Sequence, residues 1–247
     1  MIRIGAIGDL HFGTDSAGSL RPHLAHLPER ADLLLIAGDL TRRGEPEEAA
    51  VLAEELAPVP VPKVAVLGNH DYHSDRQEEV RKILEQEGDV RVLEGEGVVL
   101  DLGGERLGVA GSKGFGGGFA GASGSDFGEP EMKAFVRHTK EVSGKLEEAM
   151  RGLDTELRVA LLHYSPVPDT LVGEPLEIYP FLGSYLLAEA VDGVGADLVL
   201  HGHAHRGTEK GVTPGGIHVR NVAQPVINRA YALYCFGQGE ALSGDDA

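Results

Sequence analysis

Apolar runs in this chain stop on a recurring step, in most cases a glycine followed by Asp, Asn or His. Residues 2–7 run into Gly8-Asp9-Leu10-His11, and residues 31–37 run into Gly38-Asp39. Residues 63–67 lead to Gly68-Asn69-His70-Asp71, residues 157–162 to His163, and residues 197–200 to His201-Gly202-His203-Ala204-His205. Each run has strand length and little polar alternation, the pattern of a strand buried on both faces. Glycine at the turn permits a sharp reversal and a close backbone approach. In open α/β sheets, ligands bind beyond the carboxyl ends of the strands. Five such ends therefore predict one composite site.

The first half alternates strand and helix signals. A helix is expected over 46–56, stopped by prolines at 58, 60 and 62, and another over 75–87 with Ser74 or Asp75 as its cap. That order predicts parallel strands. The middle differs. Residues 90–93, 98–102 and 106–110 read as an antiparallel meander or hairpins. Residues 111–128, mostly Gly, Ser, Ala and Phe, read as a mobile loop anchored by Phe115, Phe119 and Phe127. A long amphipathic helix is expected over 129–152, and another helix over about 181–191. Residues 217–222 and 231–236 read as closing strands. No internal repeat or linker divides the sequence, so residues 1–247 read as one domain, with 238–247 as a frayed tail.

The net charge is −17, which argues against nucleic acid or an anionic membrane as a general partner. The single cysteine, Cys235, forms no internal disulfide, as in a reducing compartment. No signal-peptide pattern opens the sequence and no apolar run has the length of a membrane span. The expectation is a cytoplasmic protein.

Carboxylate, amide oxygen and imidazole suit Mn, Fe, Co, Ni or Zn, with Mn the first choice, and no thiolate favours softer ions. An isolated Asp after a strand is ordinarily a turn or cap residue, and a lone strand-end His a satisfied core group. The joint pattern is what departs from that reading. The ordered set D-x-H, G-D, G-N-H-D, H and G-H-x-H, spanning Asp9 to His205, resembles the calcineurin-like metallophosphoesterase superfamily, in particular its small bacterial phosphodiesterase and phosphatase branch. The resemblance implies an α/β/β/α sandwich: two mixed sheets flanked by helices. It implies two divalent metal ions, one held by Asp9, His11, Asp39 and His205, the other by Asp39, Asn69, His163 and His203. It makes His70 the catalytic histidine beside the leaving group and a bridging hydroxide the nucleophile. The substrate implied is a small phosphoester, monoester or diester.

Other positions carry weaker readings. Asp71 is a candidate to orient His70, and His201 to support the ligands from behind. Arg42, Arg43, Tyr164, Arg206 and Asn221 are candidate substrate contacts. Residues 111–128 and 165–180 are the expected specificity walls. His23, His26, His73, His138 and His218 read as surface or locally bonded groups. The alternatives are a metal-free or non-hydrolytic scaffold on the same fold, or a nucleotide-sensing module that binds without turnover.

Overall fold

The computed structural model describes residues 1–236, so the expected frayed tail at 238–247 lies outside the described residues. One sheet has the order β13-β1-β2-β3-β4, with β1 at Ile2–Ile7, β2 at Leu33–Ala37, β3 at Lys63–Val66, β4 at Arg91–Val92 and β13 at Ala232–Phe236. β1 to β4 are parallel, and β13 closes the edge antiparallel to β1. The second sheet has the order β11-β12-β10-β9-β6-β5. Its strands are β5 at Glu96–Leu102, β6 at Glu105–Ser112, β9 at Leu157–Leu162, β10 at Leu198–His201, β11 at Lys210–Val212 and β12 at His218–Asn221. β6, β9, β10 and β12 are parallel, flanked by antiparallel β5 and β11.

The period-two alternation of side chains assigns residues to layers. Leu33, Leu35 and Val64 face Val109, Val159, Leu161 and Leu200 between the sheets. Leu34 and Ile36 face outward instead, onto Leu52, Leu56, Val80 and Leu84 of helices Pro46–Leu56 and Gln77–Glu87. On the far side, Ala160, Leu162 and Val199 pack under Leu146, Met150, Leu187 and Val191 of helices Pro130–Arg151 and Tyr185–Val194. This is the expected four-layer α/β/β/α arrangement. Among the described residues no helix is long and apolar enough to cross a membrane.

Several local expectations need correction. Residues 90–93 do not join a meander: β4 pairs parallel with β3, and of these three runs the hairpin is formed by β5 and β6. The helix expected from residue 75 begins at Gln77 without a side-chain cap. Ser74 spends its hydroxyl on the Arg43 carbonyl and Glu45, and Asp75 sits at positive φ. The helix expected over 181–191 is shifted to Tyr185–Val194, because Ser184 caps it by accepting the Leu186 N–H. Nor is 111–128 a loose loop. β6 runs on to Ser112, and β7 (Gly118–Phe119) and β8 (Ala122–Ser123) form a small hairpin. Phe119 is buried there, whereas Phe127 is 83% exposed and anchors nothing.

Candidate metal centre

The carboxyl ends of β1, β2 and β3 meet those of β9 and β10 where the two sheets touch. Main-chain bonds stitch the seam: Gly8 N–H donates to the Val222 carbonyl at 2.8 Å, and Asp9 N–H to Gly38 at 2.9 Å. Among the described residues seven non-glycines have positive φ, and four of them are Asp9, His11, Asp39 and His203. For L-residues this conformation carries strain that the surrounding structure must hold, and it concentrates at functional sites. Two glycines have no alternative. A Cβ on Gly68 would collide with the Asp39 carboxylate, and one on Gly202 with that of Asp9.

Asp9, His11, Asp39 and His205 form one group whose donor atoms all lie within 4.8 Å of one another. His205 Nε2 is 2.8 Å from Asp9 Oδ1, and His11 Nε2 is 3.4 Å from His205 Nε2 and 3.8 Å from Asp39 Oδ2. Asp9 also accepts the His203 N–H at 2.9 Å, which fixes the carboxylate. Both carboxylates are buried, while His205 and His11 reach the surface. The bond to Asp9 pulls the His205 pKa upward, whereas burial holds His11 down at about 4.

Asp39, His163 and His203 form a second group within the same 4.8 Å limit. His163 Nδ1 lies 2.9 Å from the Ala37 carbonyl, which can only accept, so Nδ1 carries the proton. Its Nε2 lone pair then faces Asn69 Oδ1 at 2.9 Å and Asp39 Oδ1 at 3.4 Å. Three acceptors converge with no hydrogen between them. An imidazolium would resolve this, but burial holds the His163 pKa down at about 4. A cation resolves it directly, since donors about 2.1 Å from one ion at right angles sit about 3.0 Å apart. His203 Nε2 lies 3.3 Å from the Phe181 carbonyl, which leaves Nδ1 as its ligand face. Burial lowers its pKa well below the ordinary value. His203 is left-handed, and this turn sends His203 to one group and His205 to the other.

His70 lies at the rim, its side chain 44% exposed. Its N–H donates to Asp39 Oδ1 at 2.8 Å, and its Nδ1 to the Arg42 carbonyl at 2.8 Å. Nε2 is left 4.0 Å from Asp39 Oδ2, and the ring stands edge-on to His11. Asp71 does not orient this ring. It is fully buried and accepts from Leu40 N–H, Thr41 N–H, the Thr41 hydroxyl and Gly68 N–H, which ties the Asp39 loop to the Asn69 loop. Burial and the nearby Asp39 carboxylate push its pKa up to about 7 despite these donors. His201 is buried behind the centre, with Nδ1 donating to Gly202 and Nε2 accepting from Thr170, and burial holds it at about 3.

The weaker candidates divide. Tyr164 packs its ring 4.4 Å from that of His203. Arg42 is paired with Asp15 at 2.9 Å on the rim. Asn221 is no substrate contact: it is fully buried, donating to Ala204 and accepting from Ala223 N–H. The two expected walls, 111–128 and 165–180, meet through Gly117 N–H to the Pro180 carbonyl at 2.7 Å. The sequence reading passed over Lys113, Glu94 and Tyr72, which line a cavity beside Asn69. A lysine at the end of a buried strand, between Ser112 and Gly114, was the available signal.

No curated protein matches the sequence. Solved structures do. Phosphopantetheinyl hydrolase (PptH) from Mycobacterium tuberculosis is similar at 17% identity and TM-score 0.63, over 89% of this chain and 88% of that one. The protein TT1561 of Thermus thermophilus is similar at 18% identity and TM-score 0.57, over 94% and 93%. A putative 5'-nucleotidase from Staphylococcus aureus aligns at 15% identity and TM-score 0.59, over 99% of this chain and 52% of that one. At such identities the likeness is one of fold. The sequence profile described as calcineurin-like phosphoesterase matches residues 2–207. That span takes in both ligand groups, and the chain belongs to the calcineurin-like phosphoesterase family.

Proposed function

We propose that this protein hydrolyses phosphoesters with two divalent cations, manganese being the first to test. Asp9, His11, Asp39 and His205 would hold one, and Asp39, Asn69, His163 and His203 the other. The observation that carries this reading is the meeting of three acceptors, Nε2 of His163 and the oxygens of Asn69 and Asp39, inside one buried group. Bound there, such ions supply Lewis-acid stabilisation of phosphate oxygens and an acidic water as nucleophile.

The chain's own residues supply the rest. Asp39 belongs to both groups, so one carboxylate sets their spacing. Asn69 adds an oxygen without adding negative charge. Neutral His163 and His203 keep their lone pairs at neutral pH, the form that binds metals. His70 holds a proton on Nδ1 against Arg42, and its Nε2 faces the centre from the exposed rim. In its imidazolium form His70 would also carry a proton on Nε2, facing a leaving oxygen that arrives from that rim, which suits it to a general acid and to charge stabilisation. The net charge of −17 supports a small substrate over a polyanionic one.

A panel of mono- and diesters, including 2',3'- and 3',5'-cyclic nucleotides, should be assayed with manganese beside elemental analysis of the protein. Two ions per chain with metal-dependent turnover is the expected result. Turnover without metal, or two bound ions with no ester hydrolysed, would overturn the proposal. The second outcome would favour a binding module.

A further inference from the structure

Beside the buried ligand group lies a cavity of about 520 Å³, whose wall includes Asn69 and Tyr164. Its lining includes three aromatic rings, Tyr72, Phe115 and Tyr164. At its base is Lys113, only 9% exposed. The Lys113 ammonium sits 4.9 Å from the Tyr72 ring centroid, 5.0 Å from Phe115 and 5.3 Å from Tyr164. Among the described residues the ammonium makes one hydrogen bond, a long one of 3.3 Å to the Gly114 carbonyl. Among the described residues no carboxylate lies within ion-pair distance of it. Glu94 lines the same cavity, but its oxygens already accept the Tyr72 hydroxyl at 2.8 Å and the Leu67 N–H at 3.3 Å. A buried ammonium normally has a paired charge and a full set of acceptors. Lys113 has neither, and stacked rings stabilise it only in part.

This cavity adjoins the candidate metal centre: Asn69 belongs to both, and main-chain bonds tie Lys113 to His163. The Lys113 carbonyl accepts both the His163 N–H at 3.1 Å and the Tyr164 N–H at 3.0 Å. His138 and Lys145 also line it, and neither adds a negative charge. His138, read as a surface or locally bonded group, is exposed at the cavity wall. The open volume beside these rings suits a flat apolar body, and an anionic tip on it would complete the shell of the ammonium.

Resting on the proposed hydrolysis, we infer that this cavity holds the leaving group. Lys113 then selects phosphoesters whose leaving group is a flat apolar body ending in a second anion, carboxylate or phosphate. Three substrates separate the possibilities: 4-carboxyphenyl phosphate, hydroquinone bisphosphate and phenyl phosphate. The readout is the selectivity ratio, kcat/KM for each anionic substrate over that for phenyl phosphate. In Lys113→Met the ratio should fall about tenfold or more, the loss of one charge-assisted contact. In Glu94→Gln, which removes the competing carboxylate, it should rise about threefold. Which anionic substrate loses more in Lys113→Met tells carboxylate from phosphate. A ratio within twofold of wild type in Lys113→Met, or a fall in both variants, would overturn the inference. Should Lys113→Met fail to fold, the direction of change in Glu94→Gln decides.

Calorimetry of the metal-loaded protein with 4-hydroxybenzoate against phenol tests the cavity without turnover. Tighter binding of 4-hydroxybenzoate, lost in Lys113→Met, is expected. Equal binding of the two would count against the anion pocket. If wild type hydrolyses none of the three monoesters, this leaving-group assignment fails while the wider panel of mono- and diesters still decides the proposed function, and calorimetry judges the cavity on its own.

Discussion

The two ligand groups share Asp39 but live in different surroundings. The group of Asp9, His11, Asp39 and His205 opens to the surface, with the His205 side chain 41% exposed and the His11 side chain 24% exposed. The other group is interior: His163 is fully buried, its tautomer is fixed by the Ala37 carbonyl, and its acceptors face one another. Burial lowers solvent screening and leaves unpaired acceptors more costly. On the proposed two-ion reading, the interior group would need an ion to satisfy its own atoms, whereas the open group could trade an ion for protons and water. One ion should be resident and the other exchangeable.

Replacing Asp39 abolishes the contrast, since it serves both groups. Asp39→Ala should lose both ions by elemental analysis and lower kcat/KM roughly 10⁴-fold or more. A variant that kept one ion would show that the groups do not depend on a shared carboxylate. The sharper comparison sets His163→Ala against His11→Ala. His163→Ala should drop to one ion per chain and about 10³-fold lower activity. His11→Ala should retain the interior ion and release the open one on dilution, with about a 10²-fold loss recovered in part by excess metal. Equal metal loss in the two variants would erase the distinction.

His70 belongs to neither group. His70→Ala should keep both ions while kcat falls about 10²-fold. If His70→Ala lost metal and kept its turnover per bound ion, His70 would be a ligand and its assigned role would be wrong.

Acidification gives the gentlest separation. His205 has a raised pKa through Asp9, so protons compete for it first, whereas His163 keeps its lone pair down to about 4. Lowering the pH from about 7.5 to about 5.5 should release the open-group ion and leave the interior one, as measured by metal release to a chelator. In metal-free protein the sign reverses. The His205–Asp9 pair stabilises the fold fully below the ordinary histidine value of 6.5, and this stabilisation fades as pH rises through the higher folded value. The stability lost in metal-free His205→Ala relative to metal-free wild type, read as the difference in melting temperature, should therefore be larger at pH 6 than at pH 8.

Much of this was legible in the order of residues alone. Apolar runs of strand length, each closed by Gly and then Asp or Asn, marked β1, β2 and β3 and their loops, because burial and turn chemistry act locally. The ordered blocks from Asp9 to His205 pointed to a common site through their chemistry. Tertiary structure decided the rest. Only the meeting of two sheets could place His163 against Ala37 and send His203 and His205 to different groups. Asp71 looked like a partner for its neighbour His70, but it ties together two loops that are distant in the chain. Lys113 looked like one more loop residue, and packing made it a buried cation facing a cavity. Side-chain type and local period are written in sequence. Which acceptor or ring a charge finally faces depends on contacts between residues far apart in the chain.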